Sequence, residues 1–110
     1  MSRSQRIGIL GGTFDPVHIG HLFIAEAARD AYQLDRVLFI PTGDPPHKKA
    51  SRLAPGRDRI NMLQAALCDN PVFQADDMEI TREGTTYTID SLRELKSRYP
   101  EDFLYFIKGG

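Results

Sequence analysis

Ile7-Gly8-Ile9-Leu10-Gly11-Gly12-Thr13-Phe14-Asp15-Pro16-Val17-His18-Ile19-Gly20-His21 is the stretch that decides how this chain folds. It opens on a short apolar run, Ile7 to Leu10, stopped by Gly11-Gly12. Such a run reads as a buried strand and the glycine pair as a turn. Pro16 keeps residues 14–15 out of a helix, because the residue before a proline is pushed from the α region. From about Ile19 to Tyr32 the composition turns helical, with Leu22, Ala25, Glu26, Ala27, Ala28 and Arg29 all good formers. Apolar residues lie nearly all round that segment, which predicts a helix packed on a sheet with little solvent face.

Further along, Val37-Leu38-Phe39-Ile40 is a second apolar run, ended by Pro41. Continuous runs suit parallel strands covered on both faces. Residues 41–56 hold four prolines and two glycines and read as a long irregular segment, a length that often goes with function. Ile60, Leu63 and Leu67 follow at helical spacing. Val72-Phe73 reads as a third strand, Met78 to Ile80 as a weaker extended piece, and Gly84 to Tyr87 as a turn. Thr88 to Arg98 reads as a helix with Ile89, Leu92 and Leu95 as its stripe and Pro100 beyond its end. Phe103 to Ile107 is a last apolar strand. The alternation predicts an α/β fold, a Rossmann-like doubly wound parallel sheet.

The chain has 110 residues, enough for one domain, residues 1–110. Lys plus Arg is 14 and Asp plus Glu 15, for a net charge of −1, which argues against a nucleic-acid binder. No apolar stretch approaches the roughly 18 residues that span a bilayer, so no membrane partner is expected. Cys68 is the single cysteine, leaving neither a disulfide framework nor a cysteine zinc site. A reducing compartment, most simply the cytoplasm, is the expected location.

The glycine turn joins the first strand to the first helix, where doubly wound folds bind phosphates. Gly11 and Gly12 let a ligand approach the backbone, and the helix start offers N–H groups and partial positive charge. His18 and His21, three residues apart, can face one spot. Gly20 between them is a bare patch against which a flat ring could lie. The pattern is neither the dinucleotide fingerprint nor a P-loop, and no metal-ligand spacing follows. Taken singly, each histidine reads more readily as an ordinary surface residue.

A second group is Pro41-Thr42-Gly43-Asp44-Pro45-Pro46-His47-Lys48. Residues 44–59 add Lys49, Arg52, Arg57 and Arg59, a positive lobe in a chain of net charge −1. It suits phosphates; it also suits a plain solvated loop, with Arg59 on a helix surface. In the third group, Arg82 to Leu92, Thr86 or Thr88 is placed to cap a helix.

The first string resembles the Gly-Gly-Thr-Phe-Asp-Pro-x-His-x-Gly-His signature of the nucleotidylyltransferase superfamily at every position. Pro45-Pro46-His47-Lys48, with Arg59 and Met62 in an Arg-x-x-Met pattern, is similar to the matching region of bacterial nicotinate-mononucleotide adenylyltransferases. Gly84 to Leu92 resembles the segment with which those enzymes read the pyridine carboxylate.

The resemblance implies transfer of the adenylyl group of ATP to nicotinate mononucleotide, giving deamido-NAD and pyrophosphate. It implies His18, His21 and Lys48 as catalytic residues. Gly11, Gly12, Thr13, Phe14, Gly20, His47 and Arg59 would bind ATP or phosphate, and Tyr87 and Thr88 the nicotinate. Mg²⁺ would arrive on the ATP phosphates, and a homo-oligomer is compatible. An adenylyltransferase for pantetheine phosphate and an inactive truncated nucleotide-binding domain are the alternatives. The family's Ile-Ser-Ser-Thr-x-Ile-Arg motif is absent, so the chain reads as an N-terminal portion. Alone, it is expected to be marginally stable or self-associating and catalytically dead.

Overall fold

The computed structural model describes residues 4–44, 53–82 and 88–107, with Thr88 described by its backbone alone. The elements run β1 (Arg6–Gly12), α1 (Ile19–Tyr32), β2 (Arg36–Pro41), α2 (Gly56–Leu67), β3 (Phe73–Ala75), α3 (Met78–Thr81), α4 (Thr88–Arg98) and β4 (Phe103–Ile107). Four strands form one sheet in the order β3-β2-β1-β4, and every pairing is parallel.

Strand alternation divides the core. Leu10, Val37, Phe39 and Phe73 point to one face and pack with Ala25 of α1 and Ile60, Leu63 and Leu67 of α2. Ile7, Ile9, Leu38 and Ile40 point to the other and pack with Met78 of α3 and Leu95 of α4. Helices therefore cover both faces, as continuous apolar strands require. β1 runs beside both β2 and β4, so the chain leaves it first to one side and later returns to the other. That reversal is the switch point at which doubly wound sheets open a crevice beyond the strand ends.

Three expectations need correcting. β1 continues through the glycines, with Gly11 and Gly12 paired to Ile40 and Pro41, and Thr42 N–H donating to Gly12 O at 2.9 Å. The turn comes after the glycines. Met78 to Ile80 is one helical turn: the Asp76 carboxylate accepts from Met78 N–H at 3.0 Å, and Asp77 O accepts from Ile80 and Thr81 N–H. A short polar side chain that bonds two residues ahead starts such a turn in place of a strand. Finally, α1 is not covered all round. Ala25 is its one buried residue, while Ile19 is 83% and Phe23 73% exposed. Only its sheet-facing side meets other described elements.

At the sheet edge, Phe103 is 60% and Phe106 53% exposed. Each forgoes part of the roughly 1.5–3 kcal/mol that full burial of such a side chain contributes.

Candidate functional site

Beyond the ends of β1, β2 and β4 lies a cleft of about 440 Å³. Gly11, Gly12, Thr42, Phe106, Glu79 and Ser91 are among the residues lining it. Gly11 is exposed there, and a Cβ added to it would meet nothing nearer than Ile40 O at 3.9 Å, so its backbone is open to a close ligand.

The start of α1 follows the end of β1 across residues 13–18. His18 is the N-cap, with extended backbone, and its Nδ1 accepts from Gly20 N–H at 3.1 Å. His21 Nδ1 accepts in turn from His18 N–H at 3.0 Å. The two histidines thus make a reciprocal capping box, a role usually given to Ser or Thr with Glu or Gln. Their ring centroids are 3.8 Å apart with planes 32° from parallel. With both Nδ1 atoms accepting, each neutral ring carries its proton on Nε2, which leaves two N–H donors side by side. Burial, and then the neighbouring His18, hold the His21 pKa below its ordinary value of 6.5. A second proton on His21 would also have to displace the bond at Nδ1.

Gly20 does provide a bare patch, but the ring against it belongs to the protein. A Cβ at Gly20 would stand 2.9 Å from His18 Cε1. Phe14 is likewise turned inward. Its positive φ of 48° sends the ring into the core, 0% exposed, edge-on to His21 at 4.8 Å and tilted on Phe39 at 5.7 Å. The Phe14 ring supports His21 and presents no face to a ligand.

Arg59 is not a helix-surface residue. It is buried, with its guanidinium bonded to the carbonyls of Ala54, Thr13 and Thr42 and to Asp44. Of the positive lobe, Arg59 therefore turns inward and Arg57 is exposed. Met62 is partly exposed on the same helix. His47, Lys48 and Tyr87 lie outside the described residues. Thr88 opens α4.

On the α3–α4 side, Arg82 and Ser91 fall in the third group, whereas Glu79 and Glu94 were not singled out from sequence. Ser91 donates to Glu79 at 2.7 Å and accepts from Arg82 at 3.1 Å. Arg82 also pairs with Glu94 at 2.6 Å, and Glu94 with Arg98 at 2.8 Å. Burial alone would raise the Glu94 pKa, but hydrogen bonds from Arg82 and Arg98 outweigh it and hold the carboxyl below its ordinary value of 4.5. The one available signal was a serine beside the apolar stripe of an amphipathic helix. No helix among the described residues is long and apolar enough to cross a membrane.

Residues 9–110 match the cytidylyltransferase-like family. A protein of Citrifermentans bemidjiense named "probable nicotinate-nucleotide adenylyltransferase" is 57% identical over 105 residues, covering 96% of this chain and 49% of that protein. One from a Thermoanaerobacter species, with the same name, is 49% identical over 110 residues, covering 99% of this chain and 52% of its own length. The chain thus spans about half the length of the curated relatives it matches. Among solved structures, Plasmodium falciparum nicotinic acid mononucleotide adenylyltransferase complexed with NaAD aligns with a TM-score of 0.74 at 21% identity, over 93% of this chain and 50% of that one. It shares the fold. With the family pattern running from residue 9 to residue 110, nearly the whole chain, this chain belongs to the cytidylyltransferase-like family.

Proposed function

We propose that the chain supplies the nucleotide-binding half of an enzyme that transfers the adenylyl group of ATP to nicotinate mononucleotide, forming deamido-NAD and pyrophosphate. The observation that carries this is the close pair of rings of His18 and His21, whose two Nε2–H groups stand at the start of the helix that follows β1 and its glycines. N–H donors and a helix N-terminus suit the charge that develops on an attacked α-phosphate. The names of the relatives supply the substrate.

The mononucleotide phosphate is already an anion near neutral pH, so it can attack the α-phosphorus in line without a general base. Catalysis is then positioning plus charge stabilisation. His18 and His21 donate to the phosphate oxygens, and Gly11 and Gly12 let the chain of phosphates lie close to the backbone. His47 and Lys48 add N–H donors for phosphate from the segment after β2. Mg²⁺ would be held through the ATP phosphates and would offset their charge, since the donors at this turn are N–H groups suited to anions and not to a cation. The backbone N–H groups at Thr88, with Tyr87, read the pyridine carboxylate.

The test is product formation by the full-length enzyme carrying these residues. Nicotinate mononucleotide should exceed nicotinamide mononucleotide at least about tenfold in kcat/KM, the difference that 1.4 kcal/mol of transition-state binding makes. Equal use of the two removes the carboxylate assignment. Preference for pantetheine phosphate removes the proposed activity.

A further inference from the structure

We propose that Arg59 is a positioning residue for this reaction, one that fixes the turn leading to His18 and His21 against the end of β2 and has no contact with phosphate. The proposal rests on the adenylyl-transfer reading above.

The side chain is 0% exposed, which is exceptional for a cation. Nε donates to Ala54 O at 2.8 Å, Nη1 to Thr13 O at 3.0 Å and Thr42 O at 2.8 Å, and Nη2 to Asp44 at 3.2 Å. Thr13 lies in the turn between β1 and His18, Thr42 directly follows β2, and Ala54 precedes α2. One guanidinium therefore joins three separate segments. Two carboxylates strengthen the junction: Asp15 accepts from Ala54 N–H at 3.1 Å, and Asp44 accepts from Gly56 N–H at 2.7 Å.

The chemistry requires arginine. Its planar fork spreads five donors in fixed directions, and here four are taken by protein oxygens. A lysine ammonium places three donors around one point and cannot reach acceptors on three segments together. With the side chain fully buried, a phosphate could reach the fifth donor only if the surrounding segments opened. Its effect on the reaction passes through Thr13, the residue preceding Phe14, whose ring supports His21.

The experiment compares wild type with Arg59→Lys and Arg59→Met in the full-length enzyme. Arg59→Lys should still melt cooperatively. Its kcat should fall by about 100-fold, the scale of a 1 Å misplacement remote from the chemistry. KM for ATP should change by less than about threefold, as for an interaction made through the transition state alone. The ¹⁵N imidazole signals of His18 and His21 should leave their wild-type positions, which a purely structural arginine would not cause. In wild type, the Arg59 Nε–H signal should exchange slowly and stay in place when ATP is added.

A shift of that signal with ATP, together with an effect on KM alone, makes Arg59 a phosphate ligand and overturns the proposal. So does wild-type kcat in Arg59→Lys. If Arg59→Met does not fold, the wild-type spectrum and Arg59→Lys still decide. A wild-type enzyme that forms no deamido-NAD ends the functional reading, while the imidazole and Nε–H signals continue to test the positioning.

Discussion

Two polar walls of the molecule, the start of α1 on one face of the sheet and α3–α4 on the other, use their polar atoms in opposite ways. On the α1 side, His18 and His21 spend Nδ1 on backbone N–H groups and keep Nε2 in reserve. On the α3–α4 side, Glu79, Ser91, Arg82, Glu94 and Arg98 bond to one another. The first wall converts a helix cap into a pair of donors. The second satisfies its charges internally and holds two short elements in register. Clustered polar residues are thus not equivalent: what distinguishes them is whether a hydrogen-bonding atom is left over once the fold has been served.

The sharpest way to break this contrast is to remove a donor from the first wall. In the full-length enzyme His21→Ala should lower kcat by roughly 10²–10³, the cost of deleting a preorganised donor at developing charge. Near-normal turnover would place His21 with the scaffold. Gly20→Ala should do less, by about tenfold in kcat. Its Cβ would stand 2.9 Å from His18 Cε1, so the ring must shift and the cap bond lengthen. Loss of that cap should also cost about 1 kcal/mol of stability. An unchanged melting curve with unchanged kcat would show that His18 relocates freely and that the cap is incidental.

These expectations divide along the line between what the sequence made legible and what it did not. The strand–turn–helix order from Ile7 to Tyr32 was legible because the apolar run and Pro16 constrain the backbone locally, although Gly11 and Gly12, read as the turn, belong to β1. The two-sided sheet followed from the continuous runs at Ile7 to Leu10 and Val37 to Ile40, both buried throughout. What escaped was set by neighbours distant in the chain. Arg59 reads as a surface cation until Thr13, Thr42 and Ala54 are seen to converge on it. Phe14 belongs to the matched signature, yet its ring serves the core because a positive φ at that residue turns it inward. Met78 to Thr81 is too short for periodicity to separate helix from strand, and the carboxylate of Asp76 decided it.

The smallest expected effects concern pH, and they separate the walls by where on the scale each loses stability. His21 has a folded pKa below its ordinary value of 6.5, so the unfolded chain binds its proton more readily. Stability is then fully present above about pH 6.5 and declines as pH falls toward the folded value. Glu94 also has a lowered folded pKa, but it is an acid held ionised by Arg82 and Arg98, so its contribution is full above its ordinary 4.5 and is lost only in more acidic solution. Glu94 is 37% exposed, which limits its ion pairs to about 0.2–1 kcal/mol. Melting curves of the chain from pH 7.5 to 3 should accordingly show two declines. His21→Gln should flatten the one below pH 6.5 and leave the acid one, whereas Glu94→Gln should lower stability by no more than about 1 kcal/mol at pH 7 and reduce only the acid one. If Glu94→Gln instead altered the decline near pH 6.5, the two walls would share one titrating network, and the distinction between a donor wall and a self-satisfied wall would fail.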